Sequence, residues 1–221
     1  MKPNFTQATD LTNDNLHTFN NPVGCALATD SCVTHAHYKE IMVLYSDRLL
    51  MRPVCQTDLE DLFAIYGDPE TNRFNPAGPF PNIQYAESVM AGWLKHWNEH
   101  GFGVWAIATQ KEPENVIGFG GLSLFQFEGK TMNNLGYRLS TASWGKGYAT
   151  EFSKRALSFG FVELGFEQIS ARVRENHLAS IQVLKKSGFR NEKKIQDVMD
   201  APASLLFQIS KTEWEASAAI A

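Results

Sequence analysis

Gly145-Lys146-Gly147 is the segment of this chain whose composition most directly suits chemistry. It lies between a stretch that alternates like a strand and one with a helical period. Glycines let backbone N–H groups approach an anion closely, and a helix start adds unpaired N–H groups at the positive end of its dipole. A phosphate or pyrophosphate is the expected guest, although a plain tight turn uses the same residues. Two familiar phosphate loops do not fit. A Walker A loop requires Ser or Thr after its Lys, and here Gly147 follows Lys146. The dinucleotide fingerprint requires Gly or Ala where this chain has Thr150, and it opens a βαβ unit rather than following a meander.

The elements around the loop can be read from periodicity. Residues 48–53 read as a strand that Pro53 stops. Thr57 and Glu60 have capping-box spacing, and Leu59, Leu62, Phe63 and Tyr66 follow on one helical face. Residues 75–81 are punctuation. A second helix is predicted over 82–99, with Ala86, Val89, Met90, Trp93 and Trp97 on one face and Gly101 as its stop. Strands at 104–109, 116–127 and 132–139, joined by polar turns at 111–114 and 128–130, predict an antiparallel meander. After the glycines come a helix to about residue 164, a strand at 168–175, and a helix at 177–187 with Gly188 as its C′ residue. Strands near 190–199 and 204–210 finish the series. The class is α/β in the α+β sense, without a repeated βαβ array.

Composition bounds the function. With 43% hydrophobic and 20% charged residues, 221 residues supply one full core. A net charge of −4 gives no reason to expect direct nucleic-acid contact. No apolar run approaches the roughly 20 residues of a membrane span, and the N-terminus lacks a secretory h-region. Cys25, Cys32 and Cys55 are too few for a disulfide framework, so a cytoplasmic protein is expected. Cys25 and Cys32 precede His35 and His37, but the first gap is wide for zinc, and no metal site is expected. Residues 1–44 show no sustained period and are expected to form an N-terminal extension, weakly ordered or docked, on a domain spanning 45–221. Met42 is a further candidate for the translation start.

Several short motifs together carry a resemblance. Trp144-Gly145-Lys146-Gly147-Tyr148-Ala149-Thr150-Glu151 resembles the coenzyme A pyrophosphate loop of the GNAT superfamily of N-acetyltransferases, in its RimJ/RimL-like branch. Gly147 and Ala149 match the last two fixed positions of the pattern Q/R-x-x-G-x-G/A, and Trp144 replaces the Gln or Arg, as that branch commonly shows. Asn176 and Ser180, followed by Lys186-Ser187-Gly188-Phe189, resemble the branch's second signature. The strand holding Leu135-Gly136-Tyr137 resembles the one before the loop, and the likeness covers roughly residues 46–215. It implies a GNAT-like fold: a twisted, mostly antiparallel central sheet with flanking helices, two of whose strands splay to form a cofactor cleft.

The resemblance also implies the chemistry. Acetyl-CoA is the expected co-substrate and a primary amine the acceptor, by direct transfer. The amine must arrive neutral and close, a base or water must take its proton, and an N–H donor must face the oxyanion. By analogy, Gly145, Lys146, Gly147, Tyr148, Ala149 and Thr150 hold the pyrophosphate, and Leu135, Gly136 and Tyr137 lie along the pantetheine arm. Asn176 bonds that arm, caps the following helix, or does both. Ser180 stands near the sulfur as proton donor, unless it is a solvated helix serine. The rings of Tyr137 and Tyr148 read as packing aromatics. Many members have Glu where this chain has Asn134, which cannot take a proton. Asp200 is the base carried forward, beside Asp197, His96, His100 and His177. Arg73, Phe74, Tyr85, Trp105 and Phe125 are candidates for the acceptor pocket. The RimJ/RimL-like likeness implies a protein N-terminus as acceptor. A small-molecule amine (amino acid, polyamine or antibiotic) and a non-catalytic acetyl-CoA-binding module stand as alternatives. A monomer or homodimer is expected, with no membrane partner.

Overall fold

The computed structural model describes residues 42–199 and 201–218. Its strands are β1 Leu44–Tyr45, β2 Leu49–Pro53, β3 Val104–Thr109, β4 Glu112–Phe127, β5 Lys130–Leu139, β6 Gln168–Arg174, β7 Asn191–Ile195 and β8 Ser204–Ser210. Its helices are α1 Leu59–Gly67, α2 Ile83–His100, α3 Tyr148–Ser158, α4 Leu178–Lys186 and α5 Lys211–Ala218. The strands form one sheet in the order β1-β2-β3-β4-β5-β6-β8-β7. Neighbours are antiparallel except β5 and β6, which run parallel. The resemblance led us to expect this mixed, mostly antiparallel sheet flanked by helices.

Strand alternation divides the apolar residues between two layers. Leu135, Leu139, Ile169, Ala171 and Val173 pack in a core with Phe152 and Leu157 of α3 and Ile181 and Leu184 of α4. Ala106, Val116 and Phe119 face the other way, onto Leu62 and Ile65 of α1 and Ala86 and Met90 of α2. Each fully buried large side chain stabilises the fold by about 1.5–3 kcal/mol. Trp105 is fully buried in the first core, so it does not line an acceptor pocket. It occupies the inward-facing position of a central strand, where a large indole finds its best burial.

Helix ends follow local chemistry. Asn82 caps α2 by accepting from the Tyr85 N–H at 2.9 Å, and Gly101 closes it in the left-handed region. The cap before α1 falls elsewhere than expected. Asp58, not Glu60, reaches back to the Cys55 N–H at 2.9 Å, and a 3-10 turn at Gln56–Asp58 precedes the helix. The reason is Arg52, whose guanidinium holds the buried Asp58 carboxylate at 2.6 and 2.8 Å. The expected helix to residue 164 is α3 followed by a π-wound turn, Phe159–Glu163. The turn expected at 111–114 is partly absorbed by β4, which starts at Glu112 and pairs irregularly with β3. Helix α5 went unpredicted, although Ser210 and Glu213 hydrogen bond reciprocally at its start, a readable capping box.

Among the described residues no helix is long and apolar enough to cross a membrane. Cys25, Cys32, His35 and His37, with the rest of residues 1–41, lie outside the described residues, as does Asp200.

Candidate active site

Strands β5 and β6 share a single register pair, Asn134 with Ser170. On one side of it Asn133 Nδ2 donates to the Gln168 carbonyl at 3.1 Å. On the other side the strands diverge. There Leu135, Gly136, Tyr137, Arg138 and Leu139 are paired only with β4, so the edge of β5 towards β6 is unpaired. Unpaired strand backbone invites an extended ligand to bond as an added strand. A Cβ at Gly136 would meet only Asn134 Nδ2, at 3.7 Å, so the space over this face of the strand is open.

The open edge leads towards the glycine loop. Trp144 Nε1 donates to the Leu139 carbonyl at 3.0 Å and fastens the loop to the end of β5. Gly147 is the N-cap of α3, with φ of +81°. A glycine cap has no side chain to satisfy the first-turn N–H groups, so those of Tyr148, Ala149 and Thr150 are left for an anion. Lys146 is exposed beside them. The unpaired edge and the uncapped helix start therefore fit a long, phosphate-bearing ligand such as acetyl-CoA.

A residue remote in sequence braces this loop. Arg48 donates through Nη1 to the Lys146 carbonyl at 3.0 Å, pairs with Glu151 at 2.6 Å, and lies 4.8 Å from the centre of the Tyr148 ring. Glu151 also accepts from Ser46 Oγ at 2.8 Å and the Arg48 N–H at 2.7 Å. Burial pushes the Glu151 carboxyl up, but these bonds outweigh it and hold the group below its ordinary value. The sequence reading gave Arg48 only a strand. No local signal marks a contact made across about a hundred residues.

On the α3–α4 face of the sheet, the structure joins two of the sequence candidates. The Tyr137 hydroxyl and Ser180 Oγ lie 3.1 Å apart, linking β5 to α4. Burial pushes the tyrosine hydroxyl up to about 12, with the Ser180 bond acting against that rise. Tyr137 therefore stays protonated at neutral pH and packs against Phe152. Asn176 is exposed and is not the helix cap, because His177 occupies that position. No protein hydrogen bond occupies its side chain among the described residues, which leaves it available to a ligand.

The base candidates fare differently. Asp197 accepts from Arg172 at 3.2 Å and Arg174 at 2.9 Å, so both carboxylate oxygens are engaged. His96 of α2 is half-buried against Phe102; burial and then His100 lower it to about 4. Asn134 stands at the vertex with its Oδ1 buried and without a hydrogen-bond partner among the described residues. Above it, on the α1–α2 face, Arg138 donates to Asn72 Oδ1 and lies 4.3 Å from the centre of the Tyr66 ring. Phe74 stacks on His177 at 4.1 Å and 14°, so the loop after α1 meets the turn after β6 across the opening. A hollow of about 100 Å³ lies there, lined by Phe74, Arg174 and Asn176 among others. A larger one, about 520 Å³, lies on the far side of the Asn134–Ser170 pair from the glycine loop.

Comparison with known proteins agrees with this geometry. The family described as "Acetyltransferase (GNAT) domain" matches residues 48–190. The chain is 27% identical to the uncharacterized N-acetyltransferase p20 of Bacillus licheniformis, over 77% of this chain and 97% of that protein. Among solved structures, it resembles the Vibrio cholerae spermidine N-acetyltransferase in complex with CoA and spermine, with a TM-score of 0.63 and 16% identity over 76% of this chain and 98% of that one. It also resembles the ribosomal-protein-S5-alanine acetyltransferase of Vibrio fischeri, with a TM-score of 0.61 and 16% identity over 78% and 98%.

Proposed function

This chain belongs to the GNAT acetyltransferase family, and we propose that it moves the acetyl group of acetyl-CoA directly onto a primary amine held at the vertex of β5 and β6. The observation that carries this reading is continuity: the unpaired edge of β5 leads towards the uncapped, glycine-started N-terminus of α3. N-acetyltransferase activity and acetyl-CoA as co-substrate follow from the family; the residue roles are our reading.

The N–H groups of Tyr148, Ala149 and Thr150 receive the pyrophosphate, with Gly145 and Gly147 giving the backbone its approach and Lys146 adding charge. Backbone groups of Leu135, Gly136 and Tyr137 bond the pantetheine arm, and Asn176 adds a side-chain bond beside it. The co-substrate, when bound, supplies an activated acetyl thioester. Asn134 Oδ1 accepts an N–H of the incoming amine and orients it, and water takes the proton, because an amide side chain cannot. The Tyr137 hydroxyl, in its bond with Ser180, gives a proton to the departing sulfur.

The RimJ/RimL-like likeness supports a protein N-terminus as acceptor, and the fold shared with the Vibrio fischeri enzyme is consistent with it. The test is amine-dependent release of free thiol from acetyl-CoA, with N-terminal peptides and small amines as acceptors and mass spectrometry of the products. Acetylated amine supports the reading. Tight acetyl-CoA binding with no amine acetylated across the panel overturns it in favour of a binding module.

A further inference from the structure

The splay has two strands, and its acceptor face carries cations on both. By the Asn134–Ser170 register, Arg138 on β5 and Arg174 on β6 stand at equivalent positions, four residues beyond the pair on the same face of the sheet. Arg172 lies between Ser170 and Arg174 on that face. Arg172 and Arg174 share one carboxylate, Asp197. Arg138 has none among the described residues: its partners are the neutral Asn72 amide and the Tyr66 ring. His177, next to it, brings no negative charge; burial and then Arg138 hold its imidazole below the ordinary value. A half-buried guanidinium without a counter-ion is costly unless something supplies the charge. A guanidinium fork also matches a carboxylate in geometry.

Resting on the acetyl-transfer reading for what happens at the vertex, we infer that the acceptor amine carries a carboxylate a short chain from its nitrogen, and that Arg138 receives this group at the mouth of the splay. The strand rise places the Cα atoms of Asn134 and Arg138 about 13 Å apart. The acceptor spans the part of that gap between Asn134 Oδ1 and the guanidinium, which Asn72 and Tyr66 hold on this face. The excess positive charge disfavours a polyamine, which would bring like charge to like. Two sources share the required chemistry: a free amino acid, and a peptide with an acidic residue near its N-terminus.

The test uses matched ligand pairs that differ only in that charge. Free amino acids are compared with their amides, and peptides with Asp at the second position with their Asn counterparts. Binding to the full chain saturated with coenzyme A is measured by calorimetry, so the readout does not depend on turnover. The acid is expected to bind about 10- to 100-fold more tightly than its amide, the effect of one charge-assisted hydrogen bond. In Arg138→Gln the ratio falls to near unity, while Arg138→Lys retains part of it. A purely structural role for Arg138 would weaken both members of a pair equally and leave the ratio unchanged. The pair showing the larger ratio identifies the source. Equal binding of acid and amide by the wild type, an unchanged ratio in Arg138→Gln, or binding of neither member overturns the inference. An acid preference that depends on Arg138, with no acetylated product, leaves the inference standing and overturns the acetyl-transfer reading alone.

Discussion

The two sides of the splay are built by different means. On the proposed coenzyme side most parts lie close together in sequence, with Arg48 and Asn176 as remote additions, and much of the work falls to backbone: the β5 edge, the fastened Trp144, and the glycine start of α3. On the acceptor side they are side chains gathered from distant segments, with Tyr66 and Asn72 from around α1, Asn134 and Arg138 from β5, and Arg174 and His177 from the end of β6. Backbone recognition tolerates sequence change but depends on conformation. Side-chain recognition tolerates small backbone shifts but depends on residue identity. Coenzyme affinity should therefore fail through geometry, and acceptor choice through chemistry.

The largest expected effect breaks this comparison at the point where the two sides meet. Tyr137→Phe removes the proposed proton donor and should lower kcat about 100-fold in steady-state thiol-release assays, with coenzyme affinity little changed. Ser180→Ala should act in the same direction. With Tyr137 intact, the alkaline fall of kcat from this group lies near its value of about 12, because burial keeps the hydroxyl protonated below that. Wild-type rates in both variants would reduce the pair to packing.

A smaller effect belongs to the coenzyme side alone. Arg48→Ala frees the Lys146 carbonyl and the Glu151 carboxylate, so the loop loses its brace. Acetyl-CoA affinity, read by calorimetry, should weaken about 10-fold, the effect of one lost charge-assisted bond. The acid-to-amide ratio of acceptors should not move. On the acceptor side, Asn134→Leu removes a buried oxygen that has no partner among the described residues. Its thermal midpoint should hold or rise, since an unsatisfied buried polar group costs about 1–3 kcal/mol, while kcat/KM for the amine falls several-fold. Unchanged kcat/KM would remove Asn134 from the acceptor site.

The smallest effect concerns stability. The Glu151 carboxyl is depressed in the folded chain, so its contribution is present above its unfolded pKa and is lost as pH falls through the folded value. Glu151→Gln should cost roughly 0.5–1 kcal/mol at neutral pH. The gap between variant and wild type should narrow in acid, measured by urea unfolding across pH.

Legibility in the sequence follows the same division. The glycine loop, α2 with its Gly101 stop, and the meander were readable because each rests on a local pattern of spacing or capping. The cap of α1 was misread because Arg52 draws Asp58 into place, a contact made through the fold. Tyr137 was read as a packing ring, and its hydroxyl's bond to Ser180 needed β5 and α4 to be brought together. Arg138 carried no sequence signal, because an isolated arginine on a strand is ordinary until the absence of a carboxylate partner among the described residues is visible. Asp197 looked like a free acid until both of its arginines were in place.

The proposed acetyl-CoA site joins the β5 edge to the α3 glycine start. Calorimetry of the full chain with acetyl-CoA, with ATP and NAD as controls and Gly147→Trp as the blocked variant, decides whether it binds the coenzyme. Binding selective for the coenzyme is expected for the wild type and none for Gly147→Trp, with both proteins folded by circular dichroism. Absence of binding by the folded wild type, or equal binding by the variant, would rule the site out.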